Sequence, residues 1–122
     1  MNECIFCKII NGDIPSYKLY EDDLIFAFLD INPDSNGHIL IIPKMHYKDL
    51  DDLDINIFKH IVEIAKDLKK ELEEKLNIDG LTLIQNNGDI QEVKHFHLHL
   101  KPYYKENKEL LPVDEIYEKL KK

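Results

Sequence analysis

Three segments of the chain repeat apolar residues at the three- and four-residue spacing of an amphipathic helix. Near the start, such a segment runs up to Asn11-Gly12 and predicts a short helix that carries Cys4 and Cys7 about one turn apart. Asp54 is a suitable N-cap for the one long helix, and a short closing helix is predicted after Pro112. The apolar positions of the three segments are Ile5, Phe6, Ile9 and Ile10; Phe58, Ile61, Ala65, Leu68, Leu72 and Leu76, widened by Ile57, Val62 and Ile64; and Val113, Ile116, Tyr117 and Leu120.

Short apolar runs between these segments predict β-strands. The turn-forming pair Asp22-Asp23 separates the first two strands, and a polar loop from Asn32 to Gly37 precedes a buried third strand. A turn from Asn86 to Asp89 joins the last two, which favours an antiparallel pair. The predicted strands are residues 18–21, 24–30, 38–43, 81–84 and 95–102. Mixed helices and strands of this kind predict an α+β fold.

Composition limits the kind of protein that the chain can be. A length of 122 residues with 43% hydrophobic content fits one globular domain over residues 1–122. Because the sequence has no run of about 20 apolar residues and no signal-peptide pattern at its start, we expect a cytosolic protein. The net charge of −8 opposes binding to a long nucleic acid or to an anionic membrane, and favours a small ligand.

The candidate chemistry is concentrated in cysteines and histidines. Cys4 and Cys7 form a C-x-x-C pair, which in a reducing compartment indicates metal ligation or redox exchange. His95, His97 and His99 alternate with apolar residues, so in an extended segment the three imidazoles leave from one side. A buried imidazole without a hydrogen bond costs roughly 1 to 3 kcal/mol, so three together indicate acid/base chemistry or metal binding. The three rings could also form a zinc site by themselves.

An ordered series of short motifs extends beyond the histidines. They are Cys4-Ile5-Phe6-Cys7-Lys8-Ile9-Ile10 with Ile14-Pro15, Glu21-Asp22, Phe26-Ala27-Phe28-Leu29-Asp30-Ile31, Gly37-His38, Ile42-Pro43-Lys44 with His46, Asn86 with Gly88, and Gln91-Glu92-Val93 before the histidine run. On these motifs the chain resembles the histidine triad (HIT) superfamily of nucleotide-binding hydrolases and transferases. The resemblance covers about residues 4–102 and leaves residues 103–122 as a C-terminal extension. It implies a HIT-like meander of about five antiparallel strands with one long helix and short terminal helices.

The resemblance also implies roles for individual residues. His97 is the expected nucleophile, whose neutral ring attacks the α-phosphorus of a nucleotide and forms a nucleotidyl-histidine that water then opens. His99 is expected to hydrogen-bond the phosphate or the leaving group, with support from His38. Asp30 is expected to bind the ribose hydroxyls. The remaining expected contacts are Asn86 at the ribose or phosphate, Gln91, Glu92 and Val93 around the α-phosphate, and Phe6, Ile9, Phe28 and Ile31 around a purine base.

A second set of residues matches the zinc ligands of some histidine triad proteins. The set is Cys4, Cys7, His46 and His95. Two thiolates and two imidazoles satisfy tetrahedral zinc, and because His97 is not among them the metal would be structural. Thiols without a metal, or a labile disulfide, are the alternatives.

Two residues depart from the family pattern. Glu92 occupies a position where a small hydroxyl residue is usual, and its carboxylate would repel an anionic substrate unless it points away. Lys101 replaces an apolar residue, and we expect it at the edge of the site or in solvent. The loop from Asn86 to Gln91 is also about two residues shorter than in related proteins.

The resemblance implies a hydrolase that releases a purine nucleoside monophosphate such as AMP from a phosphoramidate or a dinucleoside polyphosphate. Related proteins form homodimers through the long helix and the neighbouring strand, and Ile57, Ile61 and Ile64 would suit either that interface or the core. Two alternatives remain open. One is a nucleotide-responsive protein-interaction module, and the other is a nucleotidyltransferase or phosphorylase.

Overall fold

The computed structural model describes residues 4–122 as five strands and three α-helices. In chain order these are α1 (Ile5–Ile10), β1 (Lys18–Glu21), β2 (Ile25–Leu29), β3 (Ile39–Pro43), α2 (Ile55–Leu76), β4 (Gly80–Ile84), β5 (Leu98–Tyr103) and α3 (Val113–Leu120), with a 3-10 turn at Gly88–Ile90 between β4 and β5. The predicted α+β fold, with one long helix and short helices toward both ends, is confirmed.

The five strands form a single antiparallel sheet in the order β1-β2-β3-β5-β4. The first three strands follow one another as a meander. Helix α2 then carries the chain past the next position to the outer edge, where β4 forms, and β5 returns between β3 and β4. This crossing brings β5, with His99, beside β3, so that Leu40 and His99 are paired across the two strands.

Both faces of the sheet are covered because the strand residues alternate between two apolar layers. On one face, Ile25, Ala27 and Leu29 of β2 pack with α2 and α3 in the main core. On the other face, Phe26 and Phe28 pack with α1 in a smaller apolar cluster. The alternation extends to β5, where Leu98 and Leu100 belong to the main core. The continuous apolar sequences of β2 and β3 follow from this double burial.

Helix α2 begins and ends as its sequence predicts. The Asp54 carboxylate caps the first turn by accepting the backbone N–H groups of Asn56 and Ile57 at 2.8 and 3.4 Å. Asn77 ends the helix in the left-handed conformation with φ of 53°. Ile61 and Ile64 are buried in the main core and Ile57 packs against it, so these three positions serve the core in this chain.

The segment that carries the first two triad histidines is not part of the ladder. Strand β5 begins at Leu98, whereas a start at His95 was predicted. The reason is that His95 and Phe96 bond instead to the end of β3 and to the loop after it. Phe96 N–H donates to Tyr47 O at 2.7 Å, and His95 Nε2 bonds Pro43 O at 2.8 Å.

The C-terminal extension packs back onto the domain. Ile116 and Leu120 of α3 are buried in the main core.

Within residues 4–122, none of the helices has both the length and the apolar character that crossing a bilayer requires.

Candidate functional site

A cleft of about 230 Å³ opens beside the triad, on the face of the sheet that carries α1. Its walls come from α1 and the segment after it, from the end of β2 and from the loop before β5. The lining residues are Ile5, Phe6, Ile9, Ile14, Pro15, Ser16, Phe28, Leu29, Asp30, Ile31, Asn32, Leu40, Glu92, Val93, His97 and His99. The structure thus brings together ten of the residues predicted to bind or transform a nucleotide, counted with His38, which hydrogen-bonds His99.

His97 lines this cleft although only 3% of its surface is exposed. Its Nδ1 lies 2.8 Å from the backbone carbonyl of His95, which can only accept, so Nδ1 carries the proton. In a neutral ring the lone pair is then on Nε2. The Phe6 ring packs edge-on against His97 with centroids 5.0 Å apart and holds the imidazole in this orientation. A neutral imidazole oriented in this way is able to act as a nitrogen nucleophile.

A chain of hydrogen bonds sets the proton positions of His38 and His99. The backbone N–H of Asp34 donates to His38 Nδ1 at 3.1 Å, so the proton of neutral His38 is on Nε2. His38 Nε2 donates in turn to His99 Nδ1 at 2.9 Å. The proton of neutral His99 is therefore on Nε2. His99 lines the cleft next to His97, with ring centroids 4.9 Å apart, so a hydrogen-bond donor lies beside the ring that presents a lone pair.

Burial keeps all three rings neutral near neutral pH. It lowers the pKa of His97, and the hydrogen bond to His95 O and the charge of Glu92 offset only part of that effect. Burial, with the neighbouring imidazoles of His97 and His38, lowers the pKa of His99 to about 4. Burial also lowers the pKa of His38. A neutral His97 is the form in which Nε2 can attack phosphorus.

Asp30 stands at the end of β2, between the apolar wall and the histidines. Its Oδ1 accepts the Asn32 N–H at 2.8 Å, which orients the carboxylate, and its Oδ2 lies 3.7 Å from His38 Nε2. One-fifth of the side chain is exposed in the cleft. A carboxylate held in this way can accept two hydroxyl donors.

Cys4, Cys7, His46 and His95 form a compact cluster behind the cleft, with their ligand atoms all within 4.8 Å of one another. Cys7 Sγ lies 3.3 Å from His46 Nδ1 and 3.5 Å from His95 Nδ1, and Cys4 Sγ lies 3.4 Å from His95 Nδ1. Zinc–sulfur and zinc–nitrogen bonds of about 2.3 and 2.0 Å at a tetrahedral angle give a sulfur–nitrogen separation of about 3.5 Å. The separations and the donor set therefore fit tetrahedral zinc.

His95 connects this cluster to His97. Its Nε2–H donates to Pro43 O at 2.8 Å, which leaves the Nδ1 lone pair directed to the two sulfurs. Burial lowers the pKa of His95 to about 4, so the ring is neutral, which is the form that can bind a metal. The backbone carbonyl of the same residue accepts the proton of His97 Nδ1. A metal held here would fix the residue that orients the His97 ring.

Asp30, His38 and His99 form a second group of possible ligands, of which Asp30 and His99 line the cleft. Metal binding there would require His38 Nε2 to lose its proton. The proton would have to move to Nδ1, which faces the Asp34 N–H. The hydrogen bonds therefore favour proton handling over metal binding at these three residues.

Two residues predicted to contact the ribose or phosphate do not line the cleft. Asn86 and Gln91 are not among its lining residues. Gln91 is buried, and its Nε2 donates to Lys48 O at 2.6 Å, while its Oε1 has no hydrogen-bond partner within residues 4–122. Their contact with a phosphate stays a prediction. Glu92 and Val93 do line the cleft, next to His97.

Residues outside the predicted set also contribute. Ser16 and Leu29 line the cleft, and the backbone amide of Asp34 sets the His38 proton. No side-chain pattern could reveal a backbone donor. Lys101, expected at the edge of the site or in solvent, does not line the cleft and forms an ion pair with Asp34 at 2.6 Å.

Known proteins are similar to this chain in both sequence and fold. Residues 11–106 match the profile of the HIT domain family. An uncharacterized HIT-like protein of Methanocaldococcus jannaschii is 43% identical over 117 residues, covering 93% of this chain and 88% of that protein. An adenosine 5'-monophosphoramidase of Saccharomyces cerevisiae is 48% identical over 101 residues, covering 81% of this chain and 61% of the yeast protein. The crystal structure of a Zn-bound histidine triad family protein from Mycobacterium smegmatis has a TM-score of 0.89 at 33% identity, over 97% of this chain and 90% of the other.

Proposed function

Because this chain belongs to the HIT domain family, whose relatives include a named adenosine monophosphoramidase, it is a nucleotide hydrolase, and we propose that it releases AMP from adenosine phosphoramidates through a nucleotidyl-histidine. The observation that carries this proposal is the protonation pattern of His97 and His99. One presents a lone pair on Nε2 and the other presents Nε2–H, on adjacent rings at the same cleft.

In the first step His97 Nε2 forms a bond to the α-phosphorus while the phosphorus–nitrogen bond of the substrate breaks. The departing nitrogen accepts a hydrogen bond from His99 Nε2–H, which His38 orients through its bond to His99 Nδ1, and takes the proton that it needs from solvent. In the second step water attacks phosphorus, its hydroxyl forms AMP, its proton passes to solvent, and His97 leaves as a neutral ring. Both steps balance, and the enzyme ends as it began.

The lining of the cleft suits a ligand with an aromatic base and little negative charge. Phe6, Ile9, Phe28 and Ile31 line one side and would hold a purine, and Asp30 would bind the ribose hydroxyls. Within residues 4–122, the cleft wall contains two carboxylates and no lysine. A dinucleoside polyphosphate brings several negative charges without a matching cation, whereas an amine leaving group brings none. This balance favours the phosphoramidate over the polyphosphate.

Zinc would be held by Cys4, Cys7, His46 and His95, where the separations fit it. When bound, it would supply structural stability by joining α1 to the loop before His97.

A homodimer is the assembly that we propose. Its support is the outer edge of the sheet, where strand β4 has no neighbour on one side within residues 4–122 and Leu83 is 49% exposed. Sedimentation of the purified protein should give twice the chain mass, and a concentration-independent monomer would overturn this assembly.

The proposed activity is tested by incubating the protein with adenosine phosphoramidate and measuring AMP. The wild-type protein should release AMP, and His97→Ala should lose at least a thousandfold in kcat while still binding AMP in a calorimetric titration. Equal turnover by the variant would contradict the assignment of the nucleophile. Formation of ADP in place of AMP when phosphate is added would instead support the phosphorylase alternative.

A further inference from the structure

We infer that Lys101 and Asp34 are positioning residues, which hold the loop after β2 so that His38 keeps its proton on the nitrogen that faces His99. The inference rests on the proposed function and adds residues that do not touch the substrate. It concerns how well the enzyme expels a leaving group that needs a proton.

The ion pair joins the strand that carries His99 to the loop that precedes His38. Lys101 follows His99 by two positions on β5, so the two side chains leave from the same face of the strand. Lys101 Nζ lies 2.6 Å from Asp34 Oδ2, and the lysine side chain is only 27% exposed. Through this ion pair, the strand that positions His99 also holds the loop in place.

The backbone of Asp34 is what His38 contacts. Its N–H donates to His38 Nδ1 at 3.1 Å, and this bond requires Nδ1 to be unprotonated. If the Asp34 N–H moved away, water could take its place and donate or accept equally well. His38 could then carry its proton on Nδ1, and Nε2 would no longer donate to His99.

Other bonds secure neighbouring parts of the loop but not Asp34. Ser35 Oγ donates to Pro102 O at 2.6 Å, and Asn36 bonds the backbone at Glu109 and Leu111. These bonds keep the loop folded when the ion pair is lost. The Asp34 carboxylate itself is 62% exposed, and within the described chain Lys101 is its ion-pair partner. Removing Lys101 should therefore loosen one amide without unfolding the loop.

The test compares two substrates and three variants. Adenosine phosphoramidate requires a proton on its departing amine, whereas the 4-nitrophenyl ester of AMP expels a stable phenolate without one. Lys101→Met removes the charge and keeps the length of the side chain, and Lys101→Arg restores the charge. Lys69→Met is the matched control, because it removes a lysine from an exposed ion pair with Glu73 at 2.7 Å on α2, outside the cleft lining.

Lys101→Met should lower kcat for the phosphoramidate by about two- to fivefold, the loss expected for an exposed ion pair, and should change kcat for the ester far less. Lys101→Arg should recover the loss, and Lys69→Met should behave as wild type on both substrates. A purely structural role would lower both rates together, and that result, or no change in either rate, would overturn the inference.

Proton positions give a second readout that does not depend on turnover. Long-range proton–nitrogen correlation spectra of the nucleotide-free protein should show His38 protonated at Nε2 in the wild type and a mixture of tautomers in Lys101→Met. A wild-type protein that releases no AMP from either substrate would overturn the proposed function, while the spectra would still decide the positioning role. Unchanged His38 tautomers in Lys101→Met would overturn the positioning role even if the enzyme is active.

Discussion

Replacing Gly37 with alanine should destabilise the protein more than the same replacement at two other glycines with a similar backbone. Gly37 precedes His38 and has φ of +90°, a conformation that L residues rarely adopt. A Cβ at this position would lie 2.7 Å from Leu76 Cδ1 and 2.9 Å from Leu72 Cδ2. Leu72 is fully buried, so at least one of the two methyl groups would have to move within a packed core.

The size of the effect follows from two contributions. A positive φ costs an alanine roughly 1 kcal/mol, and the overlap with the leucines adds about 1 to 2 kcal/mol of overpacking. Gly12 and Gly88 have φ of +84° and +77° but leave nothing within 4 Å of an added Cβ. We therefore expect Gly37→Ala to lower the free energy of unfolding by about 2 to 3 kcal/mol, and Gly12→Ala and Gly88→Ala by about 1 kcal/mol or less.

Urea unfolding of the three variants, followed by circular dichroism, measures these differences. A loss of 2 to 3 kcal/mol corresponds to a Tm lower by roughly 8 to 12 °C for a chain of this size. Since Gly37 adjoins His38, only Gly37→Ala should also reduce kcat under conditions where all three variants are folded. Equal destabilisation by the three substitutions would refute the overlap argument.

Three further predictions concern charge and metal. The hydrogen bond between His60 Nε2 and Asp22 Oδ2, at 2.6 Å, raises the pKa of His60 in the folded protein. The bond therefore stabilises the fold fully at pH values below the unfolded-state pKa near 6.5, and this stabilisation is lost as the pH rises through the folded-state pKa. His60→Gln should therefore lower the free energy of unfolding by about 0.5 to 1 kcal/mol at pH 5.5 and by less at pH 9 in urea titrations, and an equal loss at both pH values would contradict this assignment. Glu92→Gln should raise kcat/KM for a dinucleoside polyphosphate about two- to fivefold relative to the phosphoramidate, and the gain should shrink with added salt; a gain that ignores salt would argue against charge repulsion. Cys7→Ser should abolish retention of zinc through gel filtration, measured by elemental analysis, and lower the Tm; full zinc content in the variant would exclude Cys7 as a ligand.

The elements of the fold follow closely from the pattern of the chain. The stripe from Phe58 to Leu76 and the cap at Asp54 define α2, because burial of one helix face and capping are local properties. The alternation of β2 and β3 between two apolar layers accounts for their continuous apolar runs. The predicted start of β5 is three residues too early, because the Phe96 N–H bonds Tyr47 O and the His95 side chain bonds Pro43 O, in a part of the chain that is distant in sequence.

The candidate site was predictable in its side chains but not in its protons. His97, His99 and Asp30 meet at one cleft, as the motifs predict. Their protonation is set by backbone atoms, namely the carbonyl of His95 and the amide of Asp34, and such atoms leave no trace in a residue pattern. The nitrogen that carries the proton on each ring could therefore be assigned only from the three-dimensional structure.

The central claim is that His97 Nε2 becomes bonded to phosphorus during turnover. It is tested most directly by acid-free denaturation of the enzyme in the steady state with adenosine phosphoramidate, followed by peptide mass spectrometry. We expect an adenylyl group on His97 that is absent from unreacted protein. An adenylyl group on another residue, or none while AMP is being released, would contradict it.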